Sequence, residues 1–486
     1  MAGEATVTSP DTSEQPEEMP LPFGVYADTG QYLSGVTDKD LDEIQGDHKS
    51  VRARMGQNKR LGAVFGVEPN KLDQAGWGII FPAQGDNSAI KDALAPLIEL
   101  RKAQAKRPEL FKVFEGPKGY RPGDTTASWL ARFGVGIDEV DPENGVPLYL
   151  LLVGSPKEIP FDFQYLLDGY WNVGRLHLEK TEDYRAYALA VDAYERATKP
   201  AHRKRAAMWM TKNPGDKATA LLHNQVGLPF AKGVGTKQPL GQQQGFQLSS
   251  ILGDNATKPA LIKLLQGQDS GGPTALLFTG SHGLAWSTKD PGGLAEKQGA
   301  LVTQEWIAET PVQANQYFAA AELPDGAQVG GMIHVLFACF GGGCPETDNF
   351  GRKPNGDRIS LAPEPLIARF PQRMLARGAL AVMAHVDRAW AYSFQTSGGH
   401  PRAQGLRGVM ERIMAGERIG QATDVFNQRW SRVAGQLQMM LDQQDQGLQP
   451  VVPAALANLA VARDDARNYI ILGDPAVRLR VEEMEG

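Results

Sequence analysis

The sequence predicts an α/β protein built on a mainly parallel sheet flanked by helices and arranged as two tandem α/β subdomains. Two observations predict this. Short runs that are apolar throughout recur along the 486 residues, as strands buried on both faces require. Stretches with apolar residues at helical spacing separate them, which supplies the crossovers that parallel strands need.

The elements follow in order. Residues 1–21 form an acidic tail rich in Ser, Thr and Pro, expected to be disordered because its few apolar groups cannot offset the entropy of ordering. The tail also lacks the basic start and apolar stretch of an export signal. The N-terminal subdomain is placed at 22–200, and its first part, to about residue 70, carries no clear pattern. "WGIIFP" (77–82) reads as a strand ended by Pro82, and "NSAIKDALAPLIEL" (87–100) as a helix kinked at Pro96. "PLYLLLVG" (147–154) is a strand buried on both faces. "TEDYRAYALAVDAYERATKP" (181–200) is a helix with Thr181 as its cap, Asp183 in the first turn, Tyr184, Tyr187, Ala188, Val191 and Tyr194 on one face, and Pro200 as its stop.

The second subdomain, 201–486, repeats the alternation. Its strands are "RAAMWMT", "TALLFTGS", "MIHVLFAC", "ALAVMAHV" and the closing "NYIILGDPAVRLRV". "ATKPALIKLL" and "PLIARFPQRMLARG" are helices between them, and 233–245 and 345–360 read as exposed loops.

Composition narrows the function. With 42% hydrophobic and 22% charged residues the chain has the make-up of a soluble globular protein. A net charge of −6 leaves no basic footprint, which argues against nucleic acid as a partner. Two cysteines cannot build a disulfide framework, and no apolar run is long enough to span a membrane, so a cytoplasmic protein is expected. No cofactor and no metal site is expected, because two thiols without a C-x2-C pair elsewhere leave a coordination shell incomplete.

Ligands in open parallel sheets gather at the carboxyl ends of the strands. There, "TALLFTGSHG" delivers Ser281, His282 and Gly283, "MIHVLFAC" delivers Cys339, and "ALAVMAHV" leads to Asp387 and Trp390. A thiol reacts as thiolate and needs an imidazole or positive dipoles beside it, which His282 could supply. Acyl transfer also develops an oxyanion, for which the backbone N–H groups of Gly283 and Cys339 are the candidate donors. The bland alternative is that Cys339 is a small apolar core residue and the glycines after it a tight turn. Cys339 is favoured over Cys344, which lies beyond the glycines. His385 is the rival to His282, whereas His334, in mid-strand, reads as structural.

A strand running into "TGSHG", followed 57 positions on by a strand running into "FACFGG", resembles the caspase clan of cysteine peptidases. The segments "PLYLLLVGSPKEIPFDFQYLLDGYWNVGRL", "GDNATKPALIKLLQ", "GALAVMAHVDRAWAYSF" and "ILGDPAVRL" are similar to those of the gingipain branch and of CHAT domains. The resemblance implies a caspase-like fold and a cysteine endopeptidase acting through a Cys339–His282 dyad, with Gly283 as an oxyanion donor and no third, orienting carboxylate. It implies Trp390 in the substrate pocket. Asp387 is the preferred pocket acid, with Asp216, Asp254 and Asp348 as the other candidates. The partners expected are a protein or peptide substrate and an activating protein, with a role in bacterial defence or cell death by analogy. The stretch 345–360, which carries Arg352, Lys353 and Arg358, lies where caspases are commonly processed, although a solvated linker is the favoured reading of it. The alternative is a catalytically silent caspase-like binding or scaffold protein.

Overall fold

The structure is a computed structural model that describes residues 21–33, 63–136, 139–269, 271–353, 355–396, 398–448 and 452–485. The disorder expected of the acidic tail falls, Leu21 excepted, outside the described residues, as does much of 22–70.

The chain enters with β1 (Gly24–Tyr26) and then lays down β2 (Trp77–Ile80), β3 (Phe111–Phe114), β4 (Tyr149–Val153) and β5 (Asn172–Leu176). After the helix Thr181–Arg196 come β6 (Arg205–Met210), β7 (Gln247–Leu252) and β8 (Leu276–Gly280). Three short strands follow, β9 (Gly283–Ala285), β10 (Leu301–Val302) and β11 (Tyr317–Phe318), ahead of β12 (Ile333–Phe337). Beyond the glycines, β13 (Gly343–Cys344) and β16 (Leu366–Ile367) pair around a hairpin of β14 (Thr347–Arg352) and β15 (Arg358–Ser360). The chain closes with β17 (Ala381–His385) and β18 (Tyr469–Gly473).

Ten of these strands form one sheet in the order β3-β2-β4-β5-β18-β17-β12-β8-β6-β7. Every pairing in it is parallel except β17 with β18. The fold is therefore the expected α/β one, a mainly parallel sheet with helices around it. The strands of 22–200 and of 201–486 join edge to edge, because the closing strand β18 sits between β5 and β17. Continuous apolar runs explain the arrangement: all five residues of β4, β8, β12, β17 and β18 are buried.

Several local expectations are met and others are corrected. The apolar stretch before Pro96 breaks into Ser88–Ala93 and Ala95–Ala105, since proline cannot donate into the preceding turn. The helix Thr181–Arg196 starts where expected, but Thr181 is already helical and Lys180 holds the cap position, so no side chain caps it. The expected loop at 345–360 contains the β14–β15 hairpin instead. Its inward residues explain this: Asp348 is buried in an ion pair with Arg388, and Phe350 packs on the Trp390 ring at 5.3 Å. Lys353 stays exposed near the hairpin's end. The helices Ile419–Asp445 and Pro453–Arg467 pack on each other through Leu437, Leu441, Leu456 and Ala460. No helix among the described residues is long and apolar enough to cross a membrane.

One buried acid makes the fold pH-sensitive. Asp168 ends the helix Phe161–Asp168 and accepts the Val173 N–H at 3.1 Å. Burial pushes its carboxyl up to about 8. A folded value above the unfolded one of about 3.9 means that its contribution is complete at acid pH and lost as pH rises through about 8. Asp168→Asn, which mimics the neutral acid, is expected to match the parent near pH 4 and to melt at least about 4 °C higher at pH 9. A melting difference independent of pH would contradict this.

Candidate active site

β8 and β12 run side by side in parallel, with Phe337 opposite Gly280, and the ladder continues one residue further through Ser281 N–H to the Phe337 carbonyl at 3.1 Å. His282 and Cys339 therefore leave the sheet at the same carboxyl edge. The backbones of Gly283 and Cys339 pass close together: a Cβ on Gly283 would collide with the Cys339 carbonyl, so the residue after the histidine has to be glycine. Two non-glycine residues at this rim are left-handed, Phe340 with φ 58° and Asp387 with φ 68°. The Phe340 N–H donates to the Asp387 carbonyl at 2.6 Å, tying together the turns that follow β12 and β17. Such conformations cost roughly 1–3 kcal/mol each and cluster at functional sites.

The two N–H groups expected as oxyanion donors converge on a single oxygen. Gly283 donates to the Phe23 carbonyl at 2.9 Å and Cys339 donates to it at 3.0 Å. The chain's own N-terminal segment thus lies across the rim. Phe23 N–H donates to the Ala389 carbonyl at 2.9 Å, Pro22 bridges Trp390 antiparallel, and β1 then runs parallel to β9 with Gly24 opposite Gly283. Gly24 passes so close to the thiol that a Cβ there would stand 2.8 Å from Cys339 Sγ. The Phe23 ring is fully buried against Phe337 at 4.8 Å, Phe394 at 5.7 Å and His282 at 5.8 Å. Burying that ring is worth about 1.5–3 kcal/mol, enough to hold the segment together with its backbone bonds.

Cys339 is completely buried beneath this segment. Its sulfur accepts the Ala389 N–H at 3.3 Å, and burial pushes its thiol far above the usual range. His282 is also fully buried, and its Nε2 lies 3.0 Å from Asp216 Oδ2. An ionised carboxylate only accepts, so Nε2 carries a proton, and in the neutral ring that tautomer puts the lone pair on Nδ1. Nδ1 is buried without a hydrogen-bond partner among the described residues.

The sequence leads to no orienting carboxylate and to Asp216 only as a candidate pocket acid; in the structure Asp216 is paired with His282. Asp216 caps the helix Lys217–Leu222, accepting the Thr219 N–H at 2.8 Å, and also accepts the Thr219 and Tyr32 hydroxyls. Burial by itself would raise its carboxyl, but the His282 ring and these donors outweigh it and hold the group well below the ordinary carboxylate range. The detectable signal was an aspartate directly ahead of a helical run. Its approach to a histidine 66 residues away is a tertiary fact.

The other named residues lie as follows. Asp387 is buried, accepts the Asn349 side-chain N–H at 2.9 Å, and is pushed up to about 7 by burial and then by the Asp348 charge. Trp390 reaches the N-terminal segment through its backbone bridge to Pro22, while its ring packs in a separate cluster with Phe350, Tyr392 and Val461. Asp348 pairs with Arg388, and Asp254 lines an open cleft on the Asp216 side together with Lys212, Lys217 and His223. Cys344 sits in β13, its sulfur accepting from Gln298 at 3.2 Å. The His385 ring lies tilted against Tyr469 at 3.8 Å and meets Phe337 edge-on at 5.5 Å, and His334 is hydrogen-bonded to the Thr279 hydroxyl at 2.8 Å.

No protein-family model and no curated protein sequence matches the chain. Among solved structures it is similar to the Arg-specific cysteine proteinase gingipain R, at 13% identity and a TM-score of 0.44, over 84% of this chain and 79% of that one. A complex of the pro- and mature domains of RgpB from Porphyromonas gingivalis gives 14% identity and a TM-score of 0.42, covering 84% and 80% of the two chains. The Saccharomyces cerevisiae separase–securin complex gives 8% identity and a TM-score of 0.28, over 67% of this chain and 16% of that one.

Proposed function

We propose that this protein is a cysteine endopeptidase of caspase-like fold, with Cys339 as nucleophile and His282 as its base and acid. The observation that carries the reading is the convergence of the Gly283 and Cys339 N–H groups on one peptide carbonyl at the rim where His282 and the thiol emerge. That is the environment a tetrahedral oxyanion requires.

The chemistry runs in two halves. His282 Nδ1 takes the thiol proton, and Cys339 Sγ attacks the carbonyl carbon while the two N–H groups hold the developing negative oxygen. His282 then gives its proton to the leaving amine, and the peptide C–N bond breaks to leave a thioester. Water attacks the thioester with His282 again as base, releasing the acid and restoring the thiol. Asp216 is a positioning residue: it fixes the imidazole with its proton on Nε2 and stabilises the imidazolium between the two transfers. The substrate is a protein or peptide, and the N-terminal segment that covers the thiol has to leave the rim before another substrate enters.

The silent-scaffold reading has one observation in its favour, the complete burial of Cys339 under the chain's own residues. Incubation with a diverse peptide library, read by mass spectrometry, separates the two. Wild type is expected to generate new termini and Cys339→Ala none. Equal cleavage by both proteins, or cleavage by neither, would contradict the peptidase reading.

A further inference from the structure

We propose that the site is selective for a large aromatic residue before the cut bond and a glycine after it, and that its first substrate is its own Phe23–Gly24 bond. This rests on the peptidase reading above and adds to it the identity of the substrate. The observation is that Pro22–Tyr26 lies as a substrate strand would. Residues before the bond are held by the segment after β17, through Phe23 N–H to the Ala389 carbonyl and the Pro22–Trp390 bridge. Residues after it are held by β9, through the parallel register of Gly24 with Gly283 and Val25 with Leu284. Between these two anchors the Phe23 carbonyl receives both N–H groups at 2.9 and 3.0 Å.

Side-chain chemistry then sets the preference. The Phe23 ring fills a fully enclosed place whose recorded ring contacts are Phe337, Phe394 and His282. A lysine, arginine or aspartate in that place would be stripped of water without an opposite charge on those rings. On the other side of the bond, a Cβ at Gly24 would stand 2.8 Å from both Cβ and Sγ of Cys339 and 2.5 Å from the Leu33 side chain. Only glycine lets the backbone approach the sulfur so closely. Beyond the bond, the segment turns and returns, with the Leu33 N–H on the Gly24 carbonyl at 3.1 Å and the Tyr32 hydroxyl on Asp216. The same segment therefore covers the thiol and engages the carboxylate that orients the base.

The step balances as ordinary hydrolysis. The Cys339 Sγ–Phe23 carbonyl carbon bond forms as the Phe23 C–N Gly24 bond breaks, and the thiol proton passes by way of His282 to the Gly24 nitrogen. Water then replaces sulfur. The products are a peptide ending in the Phe23 carboxylate and a chain beginning with the Gly24 amine, which frees the thiol for other substrates.

The test uses the full chain. Wild type and Cys339→Ala are purified and followed by intact mass and N-terminal sequencing, and both are offered the peptide Leu-Pro-Phe-Gly-Val-Tyr with Arg and Asp versions in place of Phe. Wild type is expected to acquire Gly24 as a new N-terminus and to cut the Phe peptide with kcat/KM at least about tenfold above the other two, while Cys339→Ala does neither. Thiol-dependent cutting after Arg or Asp, or at library sites without a preference for Phe before the bond, would overturn this inference and leave the peptidase reading standing. No Cys339-dependent cutting of any bond would overturn both.

Discussion

Asp216→Asn is expected to lower kcat on a cleavable peptide by about 10^3–10^4-fold while leaving KM within about twofold. The carboxylate has no route to the substrate carbonyl in the proposed mechanism; its work is done through the ring. With Asp216 ionised, Nε2 must donate, and the lone pair is left on Nδ1. An asparagine amide can present its N–H to the ring instead, which reverses the tautomer and places the proton on the nitrogen that should accept one. The residual activity is expected to rise with pH more steeply than that of wild type, because the imidazolium loses its stabilising charge. Asp216→Glu should recover part of kcat, since it retains a charged acceptor. A purely structural role predicts a different pattern, with lower melting temperature and unchanged kcat per folded molecule. The Thr219 and Tyr32 hydroxyls that also reach Asp216 make the folded fraction a necessary control.

Displacing the N-terminal segment is expected to raise the alkylation rate of Cys339 at least about tenfold at pH 8. The measurement belongs in a His282→Ala background, where the thiol is present but the base is not, so the Phe23–Gly24 bond stays whole. Gly24→Val is the displacing change, because its Cβ and methyl groups cannot occupy space 2.8 Å from the sulfur. Covered, the thiol is held far above its ordinary pKa by burial, so almost none is thiolate at pH 8. Uncovered, it regains solvent and moves towards its usual value of about 8.5. Cys344 provides an internal reference in the same peptide map. It is buried by other contacts, including the Gln298 side chain, and its rate should not change. Equal rates for Cys339 with and without Gly24→Val would show that the segment does not guard the thiol.

What the sequence made legible follows physical lines. β4, β8, β12, β17 and β18 were readable because strands buried on both faces have to be apolar at every position, and that pattern survives without knowledge of the partners. Once β8 and β12 were strands of a parallel sheet, His282 and Cys339 had to fall at carboxyl ends, though nothing local said that the two strands are neighbours. The Asp216–His282 pairing was not legible, since a cap aspartate is complete in its local role and its second partner arrives from a distant strand. β14 and β15 were read as loop because a run rich in Gly, Asn and Asp resembles solvent-facing chain; the buried Asp348–Arg388 pair and the Phe350–Trp390 contact hold it in place. The segment around Phe23 was the least readable. A three-residue strand beside an acidic tail has no periodicity to detect, and its conformation is dictated by Gly283, Cys339 and Ala389, more than 250 residues on.

The central claim is that Cys339 forms an acyl bond to the carbonyl now held by the Gly283 and Cys339 N–H groups. The most direct measurement is rapid acid quench of wild type during turnover of the Leu-Pro-Phe-Gly-Val-Tyr peptide, followed by peptide mapping of the trapped protein. The account predicts a hydroxylamine-sensitive Leu-Pro-Phe adduct on Cys339 that is lost in Cys339→Ala. Product formation without any adduct at Cys339, or an adduct on Cys344 instead, would contradict it.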